Sequence, residues 1–291
     1  MASQQDIKRR IRSVRNTEKI TKAMELVAAS RLRRAQARIE ALRPYADSLQ
    51  SLMVEVAQAS GGVHDQPLLE RREVSTVAIL ALTGDRGLAG AFNANIVRRS
   101  VELARTARAE GREVLWLAVG RRGASTLRFR RQQLEADYTG ITDRPAYSDA
   151  CAIAQRVSEL YAEGRVDRVV MVYNSFLSAL TQRVDVVELL PVPETVLSGE
   201  APEGIEGSYL YEPDVRDLLS ELIPTYVEVT VYRALLESTA SEHGARMTAM
   251  RNASDNAGGL IDDLTLAMNR ARQAEITQEI LEVVGGADAL E

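Results

Sequence analysis

Apolar residues recur in a 4-3 spacing from Ile7 to Val56 without a break: Ile7, Ile11, Val14, Glu18, Thr21, Glu25, Ala28, Leu32, Ala35, Ile39, Leu42, Ala46, Leu49, Met53 and Val56. Twelve of these fifteen positions are apolar, and the exceptions, Glu18, Thr21 and Glu25, are neighbours in the frame. A stripe of that period marks one face of an α-helix. No glycine or proline intervenes before Pro44, and Gly61-Gly62 supplies a stop. At about 1.5 Å per residue such a helix would be roughly 80 Å long, well beyond an ordinary globular helix. A second frame starts at Leu219 and runs through Leu222, Tyr226, Val229, Arg233, Leu236, Ala240, His243, Met247, Met250, Ser254, Ala257, Ile261, Leu264 and Met268 to Ala271. Pro224 is expected to bend its first turns, and Gly258-Gly259 sits inside it at about 1 kcal/mol per glycine relative to Ala. Two stripes of similar length at opposite ends of a chain can bury each other as an antiparallel coiled coil; long helices in an unrelated bundle are the alternative.

The middle of the chain has a different rhythm. Residues 75–83 (STVAILALT) and 112–119 (REVLWLAV) are short apolar runs suited to buried parallel strands. Residues 92–109 read as a helix between them, and a second helix over about 147–163 leads into a strand at 167–173, followed by another at 180–190. Strands alternating with helices predict an α/β domain, and residues 191–207 read as a loop rich in Pro, Gly and Glu. The expected fold class is α/β plus long α: an antiparallel coiled coil of N- and C-terminal helices with an inserted Rossmann-like α/β domain. The expected boundaries are 1–60 for the first arm, 73–192 for the α/β domain, 193–212 for the connecting loop and 213–288 for the second arm.

Composition sharpens this picture. Only 4% of the 291 residues are aromatic, fewer than a wide enzyme core uses but enough for helices packed on Ala, Leu and Met. A single cysteine, Cys151, excludes an internal disulfide framework and a cysteine-based metal site. No run of about 18 apolar residues is present to span a membrane. Residues 1–8 lack the apolar core of a secretory signal, and the basic helical pattern they begin runs on for fifty residues, so structure is expected there and not a cleaved leader. Residues 1–43 carry a balance of +8, whereas the whole chain is −5, so the remainder is −13. A strongly basic first helix on an acidic protein points to an acidic partner for that helix; a solvated face is the plainer reading. Nucleic acid is disfavoured, because the same basic residues flank a seam that another part of the chain must cover.

Little catalytic chemistry is visible. The loop Gly84-Asp85-Arg86-Gly87-Leu88-Ala89-Gly90 follows a strand and opens a helix, where a nucleotide phosphate could sit. Its spacing is GxxGxxG, not GxGxxG, and no GK[ST] is present; a tight turn needs the same glycines. His64 and His243 are the only histidines, and neither stands in metal-ligand spacing. No cofactor or metal is expected, and an α/β nucleotide-binding enzyme with coiled-coil arms remains the rival reading.

Several of these segments carry a family likeness. Residues 20–30 (ITKAMELVAAS) resemble the N-terminal hallmark of the F-type ATP synthase gamma subunits, and residues 276–287 (ITQEILEVVGGA) fit that family's I-T-x-E-x-x-E pattern followed by G-A. Residues 241–247 (SEHGARM), 270–274 (RARQA), 82–95 (LTGDRGLAGAFNAN) and 209–214 (YLYEPD) are similar to it as well. The likeness runs the whole chain and is loosest around 120–165. It implies a non-catalytic central rotor shaft that passes through a ring of three alpha and three beta subunits and carries torque between that ring and the membrane c-ring, with an epsilon subunit as a further partner. By that resemblance Met24, Arg246, Gln273 and Thr277 meet the beta subunits, whose acidic loops would be the acidic partner. Tyr209 and Glu212 match the foot that meets the c-ring. Ala28, Ala29 and Ser30 suit either close helix approach or a smooth bearing surface. With one cysteine the chain cannot make the regulatory cysteine pair of chloroplast-type gamma subunits; with no presequence expected, a bacterial origin follows, peripheral on the cytoplasmic side of the plasma membrane.

Overall fold

The computed structural model describes residues 4–59, 66–197 and 215–288. In chain order these form α1 (Gln4–Ala59), β1 (Thr76–Leu82), α2 (Phe92–Ala109), β2 (Glu113–Val119), α3 (Arg121–Phe129), β3 (Leu134–Tyr138), α4 (Tyr147–Ala162), β4 (Arg168–Phe176), β5 (Gln182–Leu190), α5 (Glu194–Leu197) and α6 (Val215–Asp288). The helix α1 has 56 residues and α6 has 74. All fifteen positions of the first frame are buried or half-buried, and so are those of the second frame except Arg233. The chain packs as two units, one of residues 1–28 with 246–291 and one of residues 29–245.

In the first unit the two helices pair antiparallel. Thr21 bonds Ser254, Glu25 holds Arg251, and Gly258 approaches Glu18, so numbering climbs on α1 as it falls on α6. The seam is not purely apolar. Ile7, Ile11, Ala28, Met250 and Ala257 are buried, but Thr21 and Glu25 of α1 form a hydrogen-bonded layer between them with Ser254 and Arg251 of α6. The Thr21 and Ser254 hydroxyls lie 2.7 Å apart, and Thr21 also donates to the Glu18 carbonyl at 3.0 Å. Buried polar groups must be paired to be tolerated, and these are. A polar layer of this kind is the usual device for fixing helix register.

The second unit holds a five-stranded sheet of order β3-β2-β1-β4-β5, with β4 and β5 antiparallel and every other pair parallel. Alternation along the strands sends Ala78, Leu80, Leu82, Leu117, Val119, Val169 and Met171 to one face, against α4, Met53 and Val56 of α1, and Leu219 to Leu235 of α6. Val77, Ile79, Ala81, Trp116, Ala118, Val170 and Val172 face the other way, against α2 and α3. Helices on both faces bury a parallel sheet completely, which is why β1 reads as an unbroken apolar run.

The described elements match the expected ones at α2, α4, β1, β2, β4 and β5. Three elements are additional: α3, β3 and the short α5, which lies inside the stretch expected to be loop. The Gly61-Gly62 stop lies outside the described residues; α1 itself ends at Ala59.

Candidate interaction surface

The surface of the first unit changes character along α6. Ile261, Leu264, Met268 and Ala271 are half-buried, whereas every residue from Arg272 to Leu281 is exposed. Register explains the change. With Glu25 level with Arg251, the first residues of α1 fall level with about Ala271, so α6 outruns its partner there. A lone helix in water would be expected to be polar all round, yet Ile276, Ile280, Leu281 and Val283 are 48%, 58%, 62% and 73% exposed. On α1, Ile20, Leu26 and Val27 are likewise exposed and off the frame. Apolar side chains presented in this density mark a surface meant to be covered.

The four residues expected to meet a partner all lie in this unit. Met24 is half-buried on α1, level with about Asn252, and Arg246 is buried at 8% exposure on α6, more than a turn away. Gln273 and Thr277 are exposed one turn apart on the unpaired end of α6, and the Thr277 hydroxyl donates to the Gln273 carbonyl at 2.8 Å. The helix pair thus brings Met24 and Arg246 to the paired region and leaves Gln273 and Thr277 on the free one. Tyr209 and Glu212 lie outside the described residues. Between these sites, Glu25 accepts from Lys22 Nζ and Arg251 Nε, each at 3.0 Å, and Lys22 first, then Arg251, holds its carboxyl below the ordinary range. Sequence reasoning passed over Leu260 and Leu266, and named Ile280 and Leu281 only as part of the 276–287 motif; the signal of all four was apolar identity at positions the seam does not use.

The α/β body has its own candidate. In open sheets of this kind ligands bind beyond the carboxyl ends of the strands where the strand order reverses, here between β1 and β4. That crevice is filled by α6. Ser241 donates to the Asn174 carbonyl at 3.1 Å, Ser238 reaches the Leu82 carbonyl at 3.5 Å, and Thr239 donates to the Thr142 carbonyl at 2.9 Å. A Cβ on Gly84 would stand 2.6 Å from the Glu242 carboxylate, and one on Gly244 would stand 3.1 Å from the Ala179 carbonyl, so both glycines permit the close fit. The loop amides are also engaged: Gly84 N–H donates to Asn93 Oδ1 at 2.8 Å and Asp85 N–H to the Thr142 hydroxyl at 2.9 Å. A phosphate here would meet the carboxylates of Asp85 and Glu242, at about 4 kcal/mol per like-charge pair 4 Å apart in a protein-like dielectric. The loop is a structural turn that seats α6.

The family model described as ATP synthase matches residues 3–290. The ATP synthase gamma chain of Desulforamulus reducens is 47% identical over 291 residues, covering 100% of both chains. That of Rubrobacter xylanophilus is 46% identical over 291 residues, 100% of this chain and 99% of its own. The chain belongs to the ATP synthase gamma chain family. Among solved structures, a chain of the central stalk and c-ring of Tetrahymena thermophila mitochondrial ATP synthase is 30% identical with a TM-score of 0.59, covering 81% of this chain and 99% of that one. A chain of the Euglena gracilis mitochondrial enzyme shares the fold at 18% identity, with a TM-score of 0.69 over 99% of this chain and 94% of that one.

Two of the stretches that resemble the motifs of the gamma chain family take part in these contacts. Residues 20–30 supply Thr21 and Glu25 to the polar layer and Ile20, Leu26 and Val27 to the exposed face. Residues 82–95 supply the turn under α6, with Asn93 joining Gly84 to the Arg86 carbonyl. Among the described residues no helix is long and apolar enough to cross a membrane.

Proposed function

We propose that this protein is the central rotor shaft of an F-type ATP synthase. It carries torque between a membrane c-ring and a catalytic ring of three alpha and three beta subunits, so that proton flow drives ATP synthesis and ATP hydrolysis can drive the reverse. The observation that carries this reading is the run of exposed residues on α6 that holds Ile276, Ile280 and Leu281 with no helix beside it among the described residues. A sleeve of partner subunits would cover it. Rotation does work only if each catalytic conformation prefers one face of the shaft, because a ligand without differential affinity shifts no equilibrium. The sides of this helix pair do differ: a basic, partly apolar α1 stands against an α6 whose free end is studded with Ile, Leu and Val.

In this reading the chain performs no catalysis itself, in keeping with a nucleotide crevice filled by its own helix. Met24, Arg246, Gln273 and Thr277 meet the beta subunits, Tyr209 and Glu212 meet the c-ring, and an epsilon subunit binds alongside. The arms at 1–60 and 213–288 form the shaft, and residues 73–192 form the body that the loop at 193–212 joins to it. The complex stands on the cytoplasmic side of a bacterial plasma membrane, with this subunit peripheral.

Reconstitution tests it. The purified chain alone is expected to hydrolyse no ATP, and adding it to purified alpha and beta subunits is expected to yield an assembled ATPase. Failure to assemble, or ATP turnover by the isolated chain, would sink the reading.

A further inference from the structure

Within the body of residues 29–245, a cavity of about 420 Å³ opens between α1, the β3–α4 loop and α6. That volume is in the range of small-ligand sites. Its α1 wall carries Arg31, Arg34 and Arg38, whose spacings of three and four put them on one helix face. Arg144 comes from the loop, and Thr239 and His243 from α6.

The charges in the lining do not balance. Among the described residues Asp143 is its one carboxylate, and that charge is already answered. Arg31 pairs with it closely, Arg86 Nη2 lies 3.7 Å away, and His243 Nε2 lies 4.0 Å away. Arg38 donates to the Pro145 carbonyl and to the Tyr232 hydroxyl. Arg34 and Arg144 are exposed at the rim, and among the described residues neither makes an ion pair. The lining therefore sets four guanidinium groups against a single carboxylate, with two of the four uncommitted.

We propose that this cavity binds a small phosphorylated anion, held chiefly by Arg34 and Arg144. Planar guanidinium forks match phosphate oxygens two at a time. Walls from three elements suit a compact ligand better than a protein segment. The phosphate could arrive as inorganic pyrophosphate or as the tail of a nucleotide, and the two sources share the chemistry that these arginines recognise. The site adjoins the crevice at β1 and β4, which α6 fills: Thr239 lines the cavity and also donates to the Thr142 carbonyl.

Isothermal titration of the full chain with pyrophosphate, ATP and adenosine tests the proposal without any partner subunit. Pyrophosphate should saturate at one per chain, with affinity lowered at least about tenfold in Arg34→Ala and in Arg144→Ala. Arg98→Ala removes an exposed arginine of α2 that does not line the cavity, and should change nothing. ATP binding with adenosine silent would identify the nucleotide tail as a source; pyrophosphate binding without ATP binding would identify the free anion. If either alanine variant loses its helical circular dichroism, Arg34→Gln and Arg144→Gln take its place. The proposal is overturned if neither pyrophosphate nor ATP saturates, or if Arg98→Ala weakens binding as much as the cavity variants do. Saturation by an acidic peptide but not by pyrophosphate would also overturn it, and would make the cavity a protein-docking site.

Discussion

At the tip of β1 the Asp85 carboxylate accepts the Arg121 amide at 3.0 Å, the Thr142 amide at 3.1 Å and the Thr142 hydroxyl at 2.9 Å. Burial pushes its pKa up, but the backbone donors of Gly140, Arg121 and Thr142 outweigh burial and hold it below the ordinary carboxylate value. Asp85→Ala leaves those donors without an acceptor and should cost about 1–3 kcal/mol, read as a lower urea midpoint. Because the folded pKa is lowered, this stabilisation is present at neutral pH. It is lost as pH falls from the ordinary Asp value through the folded one, and Asp85→Asn should flatten that acid limb. Tyr173 behaves in the opposite sense. Burial first, then the charges of Glu237 and Asp185, push its hydroxyl from 10.0 up to about 12. Below the ordinary value both folded and unfolded tyrosine keep the proton, so nothing changes. Between the two values the unfolded chain ionises first, and stability falls as pH rises. Tyr173→Phe should remove one late-ionising tyrosine from the ultraviolet titration and lessen the alkaline drop in melting temperature; an unaltered titration would refute the assignment.

Among the elements, α6 has the most to reveal by substitution. Gly259 lies inside the helix, and a Cβ built there meets nothing within 4 Å. Gly259→Ala should therefore stabilise the chain by about 0.5–1 kcal/mol through helix propensity alone, seen as a higher urea midpoint. Both long helices were legible in the sequence because their stripes are regular over many turns, and β1, β2, β4 and α2 because buried strands and an amphipathic helix alternate plainly. The element α3 was not, since its sequence RRGASTLRF buries only Gly123, Ala124 and Leu127, too small a set to give a period. Strand β3 (LEADY) lies at the sheet edge with no residue fully buried, so it lacks both alternation and an apolar run. The filling of the nucleotide crevice was equally hidden, because Glu242 and Gly84 are far apart in sequence and meet only through the fold. The loop's glycines could be read as phosphate binders or as turn formers, and only the carboxylate beside Gly84 decides between them. Motif likeness made the free end of α6 legible, but its lack of a partner depends on register, which Thr21–Ser254 and Glu25–Arg251 set.

For the whole molecule, stability and assembly make separate demands on the same helices. The cores on the two faces of the sheet and the polar seam of the helix pair hold the fold without help from residues 272–281, all of which are exposed. Removing apolar surface there should therefore leave folding almost untouched, since substitutions away from packed or bonded groups stay within about 0.5 kcal/mol. Binding is another matter. A large apolar side chain buried at an interface core can cost more than about 1–2 kcal/mol when lost, and a carboxylate placed there adds an unpaired charge. The double substitution Ile276→Asp with Ile280→Asp puts two charges on adjacent turns of the exposed apolar run. It should leave the melting temperature of the isolated chain unchanged and weaken its association with alpha and beta subunits by about tenfold or more. Sedimentation of the mixed subunits measures the second effect and circular dichroism the first. If association is undiminished while the fold is intact, the exposed residues of α6 are not the surface that the partner ring covers.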